Sequence, residues 1–211
     1  MPMQYLLKGE EDMGMAQSQS KKFIWVILTL AFLIVLIFIQ NYFYVQGHMD
    51  ANHYRLFLGP FLEEALKGDA LVFILLVMLF SANPKFEEKL LQKLVQKKYW
   101  LIAGVLVGLF FGLYETIVDY SLDLYRLIPT LNHVFWTAIV ASGIWFFMYA
   151  HKHKFEGLVA SYAGASLLHV FWNYHAYVQN KTGSEFTLGA ISFLLTVISL
   201  LIIWWRLELP K

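Results

Sequence analysis

One stretch of hydrocarbon governs what this chain can become. Within Phe23–Val45 lies the run IWVILTLAFLIVLIFI, which carries no charged side chain. A helix crossing a bilayer core needs about 20 predominantly apolar residues, and five further segments approach that requirement: Phe57–Phe80, Tyr99–Val118, Leu127–Ala150, Gly157–Val178 and Phe186–Trp205. A hydrophilic leader before the first run and the lack of an A-x-A-like exit after it favour a retained anchor over a cleaved signal peptide. The expected fold is therefore all-α, a polytopic membrane helix bundle of about six transmembrane helices. Residues 1–22 are expected to be a flexible cytoplasmic tail, and residues 23–206 a single transmembrane domain.

Composition narrows the function classes. Of the 211 residues, 59% are hydrophobic and 15% charged, against about 45–50% and about 25% in soluble domains. A net charge of +1 with this much apolar content is incompatible with disorder. The lysines are scattered between apolar runs and form no basic patch, so no nucleic-acid partner is expected. The chain has no cysteine, which removes disulfides, thiolate nucleophiles and Cys-ligated zinc.

Lysine and arginine placement orients the bundle. Lys21 and Lys22 precede the first span; Lys85, Lys89, Lys93, Lys97 and Lys98 follow the second; Lys152 and Lys154 follow the fourth. The alternate loops hold only Arg55, Arg126 and Lys181. Both termini are thus expected in the cytoplasm, in a multi-pass protein of the cell membrane. Trp25, Trp100, Trp136, Trp145, Trp204 and Trp205 fall mostly near span ends and are read as interfacial anchors. Residues 85–98 form a basic amphipathic stretch suited to the inner leaflet.

The informative residues are the charges inside the spans, since an intramembrane ionisable group is expensive and marks function by default. The second span carries Glu63-Glu64-Ala-Leu-Lys67, in which the lysine can neutralise either carboxylate one turn away. Asp69 follows on the inner half of the same span. Glu115, in the third span, has no basic residue within a turn and must find its partner on another helix. In the fourth span, Pro129 suits a first helical turn, which puts His133 about one turn inside and on the face of Arg126. The fifth span holds His169 and Asn173, an i, i+4 pair.

With both termini inside, Glu64, Glu115, His133 and His169 each fall roughly 6–14 Å from the outer ends of their helices, at about 1.5 Å rise per residue. Four helices place carboxylates and imidazoles in one layer, where unrelated packing residues would lie at unrelated depths. Carboxylates with neutral imidazoles hold a metal and its water, or activate water directly as general bases. An Asn and a His donate to a developing oxyanion. That chemistry is hydrolysis of a peptide or ester within the membrane. Ser142 and Ser166 lie in small-residue stretches better explained by close helix packing, and no HExxH motif is present.

These residues resemble the PrsW family of intramembrane proteases, relatives of the CAAX prenyl endopeptidases in a wider glutamate-dependent superfamily. The family's EExxK reads Glu63-Glu64-Ala-Leu-Lys67, its FxxxE reads Phe111-Gly-Leu-Tyr-Glu115, its R…P…H stretch reads Arg126, Pro129 and His133, and its HxxxD/N reads His169-Val-Phe-Trp-Asn173. Asn173 stands where PrsW proteins commonly have aspartate, and Glu115 where the CAAX endopeptidases have histidine. The resemblance implies that residues 23–206 are a protease domain, that Glu64 or Glu63 works with His169 to activate water, and that Lys67 and Arg126 support the site. It further implies that Asn173 orients the scissile carbonyl or stabilises its oxyanion. Glu64, Glu115, His133 and His169 are the candidate metal set, compatible with zinc and equally with a metal-free glutamate–histidine pair. The implied substrate is a membrane-anchored protein, an anti-sigma-factor-like regulator cut near the extracytoplasmic face. The competing readings are a CAAX-type or bacteriocin-processing membrane peptidase and a non-enzymatic or proton-coupled transport bundle. The transport reading requires polar residues continuing to the inner side, where the spans are almost entirely Leu, Ile, Val and Phe apart from Asp69.

Overall fold

The computed structural model of the chain describes residues 23–118, 127–150, 152–182 and 187–206. The expected tail, residues 1–22, lies outside the described residues, as does Arg126.

Among the described residues the regular structure is entirely helical. Helix α1 (residues 23–40) runs into a π-helical turn, Asn41–Val45. A tight connection follows, with Gly47 at φ 69° and the Asp50 side chain accepting from the Asn52 amide. The short α2 (Ala51–His53) and a second π-helical turn (Tyr54–Leu58) lead directly into α3 (Gly59–Ser81). Pro60 sits where the π-helical turn passes into α3. Helix α4 (Pro84–Leu94) starts on an Asn83 cap that accepts from the Phe86 amide at 2.9 Å, with proline in the first turn. Then come α5 (Lys97–Val118), α6 (Leu127–Tyr149), α7 (Lys154–Thr182) and α8 (Thr187–Arg206). Helices α1, α3, α5, α6, α7 and α8 coincide with the six apolar segments to within a few residues.

By length and composition three of the described helices are suited to cross a membrane: Phe23–Phe43, Lys97–Ile117 and Ile128–Tyr149. Helix α3 has the length, at 23 residues, but carries Glu63, Glu64, Lys67 and Asp69 within it. The chain is a membrane protein whose outward side chains suit lipid: Phe23, Trp25, Phe32, Ile37 and Phe38 of α1 are all exposed.

Helix α6 is the hub, packed on α5, α7, α8 and α3. Its union with α5 rests on glycine spacing. Gly104, Gly108 and Gly112 recur every fourth residue, and a Cβ at Gly108 would stand 2.5 Å from the His133 carbonyl oxygen and 2.7 Å from Val134 Cα. Small residues at this spacing let membrane helices touch backbone to backbone. Across the same contact Thr116 and Thr130 hydroxyls lie 3.1 Å apart, and each bonds the Gly112 carbonyl. On the other side, α6 meets α7 through Gly143 against Ser161 and Gly157 against Phe146.

Two tryptophans clamp the opposite end. Trp100 and Trp145 donate through Nε1 to the carbonyls of Leu94 and Val95, tying α4 to α5 and α6. Trp100 packs there with Leu71, Leu75, Leu94 and Ala141. Trp136 departs from its expected place at an interface. It is fully buried at mid-bundle with Ile139, Val140 and Ala165.

Candidate active site

The close α5–α6 contact determines what Glu115 and His133 can do. Both lie one turn or less beyond the glycine contacts, and Glu115 Oε2 meets His133 Nε2 at 2.8 Å. The other imidazole nitrogen, Nδ1, lies 2.7 Å from Lys67 Nζ. An ammonium donates and never accepts, so Nδ1 accepts from Lys67 and the ring proton sits on Nε2, facing Glu115. Lys67 also donates to Glu64 Oε1 at 2.7 Å, and both side chains are fully buried. The Phe111 ring, 5.9 Å from Nζ, covers the ammonium from α5. Lys67 thus bridges a carboxylate on its own helix and an imidazole on α6.

Glu64 has a second donor. Its Oε1 lies 3.1 Å from His169 Nδ1, so that nitrogen carries the proton and Nε2 keeps its lone pair. Toward this lone pair points Glu63 Oε2, 3.6 Å away and otherwise without a partner. Two acceptors facing each other across that gap repel unless something electropositive lies between them. A proton, a water presenting its hydrogens or a cation fits.

Trp136 holds both imidazoles. Its ring stacks on His169 (centroids 4.3 Å apart, planes 18° apart) and meets His133 edge-on at 5.3 Å. Its Nε1 donates to the Thr196 hydroxyl of α8 at 3.3 Å. Stacking on an indole also favours a positively charged imidazole.

Six of the expected residues therefore form one connected network: Glu63, Glu64, Lys67, Glu115, His133 and His169. Four of them, Glu64, Lys67, His133 and His169, are buried, whereas the Glu63 and Glu115 side chains are 35% and 40% exposed, with Glu63 Oε2 itself buried. Asn173 stands apart: its amide donates to the Arg55 carbonyl at 2.8 Å and so ties α7 to the turn leading into α3. Arg126 lies outside the described residues.

The donor atoms that come together for a metal are those of Glu63, His133 and His169, all within 4.8 Å of one another. This differs from the expected set, which placed Glu64 and Glu115 among the ligands. Glu64 Oε1 is already committed to Lys67 and His169, and in that position it resembles the outer carboxylate that orients a ligating histidine. The 3.6 Å separation of Glu63 Oε2 and His169 Nε2 is close to the ~3.3 Å edge that zinc bonds of about 2.0–2.1 Å imply for a tetrahedron. Glu63 Oε2 and His169 Nε2 offer free lone pairs to a small divalent cation, whereas His133 joins them only when one of its nitrogens is released from Lys67 or Glu115.

Sequence reasoning missed two participants. Trp136 looked like an interface anchor because nothing in the sequence marks it as facing two histidines. Asn132 is fully buried beside His133, with neither side-chain polar atom bonded. Its signal was available: an amide directly before a candidate histidine.

Comparison with known proteins adds one finding. The sequence model of the PrsW family, described as a PrsW family intramembrane metalloprotease, matches residues 20–204. No curated protein and no solved structure matches the chain.

Proposed function

The chain belongs to the PrsW family of intramembrane metalloproteases, and from that premise we propose that it is an intramembrane endopeptidase cutting a membrane-anchored protein near the extracytoplasmic face. In this reading α1, α3, α5, α6, α7 and α8 all span the bilayer and both termini face the cytoplasm. Residues 23–206 form the protease domain, and the substrate is a single-pass regulator of the anti-sigma-factor kind. The observation that carries the reading is the pair of facing acceptors, Glu63 Oε2 and His169 Nε2, 3.6 Å apart inside a membrane bundle.

In this reading water enters the gap past the partly exposed side chains of Glu63 and Glu115. Donating its hydrogens to Glu63 Oε2 and His169 Nε2, it is held with its oxygen free to attack the scissile carbonyl. As the C–O bond forms, one water proton passes to His169 Nε2. Glu64, accepting from Nδ1, and the stacked face of Trp136 stabilise the imidazolium. The same proton then goes from Nε2 to the leaving amide nitrogen as the C–N bond breaks. Lys67 and Glu115 fix His133 from its two nitrogens, so its part in this scheme is to hold α3 and α5 around the gap. Asn173 acts at a distance in this scheme, by holding the turn that delivers Glu63 and Glu64.

A divalent metal, zinc by the nature of the donors, would be held by Glu63 and His169, with His133 as a third ligand once one of its nitrogens is released from Lys67 or Glu115, and when bound it would supply Lewis acidity toward water and the scissile carbonyl. Metal analysis of the purified protein decides how Nε2 of His169 is used. Stoichiometric zinc makes it a ligand; none leaves it as the base. The reading itself is tested by cleavage of a reconstituted single-pass reporter by wild type, Glu63→Gln and His169→Ala. Turnover at the wild-type rate by both variants would sink it.

A further inference from the structure

A cavity of about 410 Å³ opens behind the network, and one group on its wall has no part in the chemistry above. Its walls come from four helices: Phe32 and Leu36 of α1, Val72 of α3, Val140 of α6, and Leu158 and Val159 of α7. The volume falls in the range of about 300–1,000 Å³ typical of ligand pockets. Phe32 and Val159, on opposite walls, are both exposed, so the cavity is a cleft open to lipid between α1 and α7. Glu64, a member of the network, lines it, and so does Tyr162, its hydroxyl donating to the Phe61 carbonyl at 2.6 Å. The remaining polar wall residue is Asp69. Its Oδ2 is buried, and no group bonds it.

A carboxylate oxygen left without a donor in a hydrocarbon-lined cleft is costly. Lipid acyl chains have nothing to offer it. An apolar polypeptide segment bearing one lysine or arginine has what is missing, and such a segment carries the mirror-image penalty in the bilayer. We propose that the cleft binds the membrane segment of the substrate and that Asp69 selects it by pairing with a basic residue inside that segment. This deepens the endopeptidase reading and rests on it for the identity of the segment as substrate.

The spacing sets a register. Asp69 follows Glu63, which holds the attacking water, by six residues on one helix, roughly 9 Å along its axis. An extended chain covers that distance in about three residues at about 3.3 Å each. The basic residue should therefore stand about three positions from the scissile bond, on the side of the C-terminal end of α3.

The probes are synthetic 21-residue leucine/alanine membrane peptides in detergent, with a single lysine stepped through each position, and an all-apolar control. Binding is read by fluorescence anisotropy on the Glu63→Gln protein, so that it does not depend on turnover, and cleavage is read separately on the protein with Glu63 intact. The expected result is one register in which the lysine peptide binds about ten- to a hundredfold tighter than the control. Asp69→Asn should abolish that preference, and Asp69→Lys should transfer it to the matching glutamate peptide, with thermal midpoints confirming that both variants fold. Equal binding of lysine and control peptides at every register overturns the proposal. So does a preference that survives in Asp69→Asn, or a cleft so filled by lipid that no peptide binds. Register-dependent binding without cleavage by the protein with Glu63 intact would instead overturn the endopeptidase reading and leave the role of Asp69 standing.

Discussion

The sharpest test of the architecture is a single methyl group at Gly108. A Cβ there would lie 2.5 Å from the His133 carbonyl oxygen and 2.7 Å from Val134 Cα, and both of those atoms are backbone and cannot swing aside. Carbon–oxygen and carbon–carbon contacts settle at about 3.3–3.6 Å and about 3.5–4.0 Å, so α5 and α6 must part by roughly 1 Å. Glu115 lies two turns along the same face of α5, and its 2.8 Å contact with His133 would lengthen past the hydrogen-bond limit. Overpacking of this kind costs about 1–3 kcal/mol, against a gain of about 0.5–1 kcal/mol for replacing a mid-helix glycine by alanine. The net expectation for Gly108→Ala is a loss of up to about 2.5 kcal/mol. Gly164→Ala is the matched control: nothing lies within 4 Å of its added Cβ, so only the gain applies. Thermal unfolding in detergent, followed by tryptophan fluorescence, should move the two midpoints in opposite directions. Reporter cleavage should fall at least about tenfold for Gly108→Ala, the equivalent of about 1.4 kcal/mol in the barrier, and stay unchanged for Gly164→Ala. A Gly108→Ala protein as stable as Gly164→Ala would refute the claim that backbone contact at the glycines positions the site.

Three further outcomes follow from the network. Lys67→Met leaves Glu64 buried without its ammonium and should cost about 3–5 kcal/mol; the double variant Lys67→Met/Glu64→Gln should regain most of that stability in the same unfolding assay while remaining inactive. Trp136→Phe keeps a ring against His169 but loses the bond to Thr196, so it should lose about 0.5–1.5 kcal/mol and retain cleavage, whereas Trp136→Leu should abolish it. If zinc is resident, a chelator should lower the unfolding midpoint of the wild type and leave that of Glu63→Gln/His169→Ala unmoved, because only a folded site binds the metal.

Much of this was legible in the sequence. Apolar runs of helical length locate α1, α3, α5, α6, α7 and α8 to within a few residues, since in lipid length and hydropathy dominate every other local preference. The shared depth of Glu64, Glu115, His133 and His169 anticipated a network that the structure brings together. Which carboxylate faces which nitrogen was beyond reach. Glu63 and Glu64 are neighbours about 100° apart on a helix, and which one points at His169 Nε2 depends on the rotation of α3, set by its packing against α6 and α7. Asn173 shows the same limit from the other side. Its spacing from His169 puts both on one face of α7, yet the Arg55 carbonyl from the turn before α3 takes its amide. Trp136 was misplaced for a related reason, because a sequence gives distance along a helix more readily than direction around it.

The pairing of Lys67 with Glu64 on a single helix has a consequence for how the protein is made. Helix α3 leaves the ribosome well before its partners: His133 comes 66 residues after Lys67, and His169 comes 105 after Glu64. At synthesis rates of about 5–20 residues per second, α3 waits roughly 3–20 s for the imidazoles that complete its surroundings. During that interval the one-turn spacing lets the lysine cancel the buried carboxylate with no help from the rest of the chain. Helix α3 thus carries its own neutralising partner for Glu64, and exchanges that private pairing for a shared one when α6 and α7 arrive.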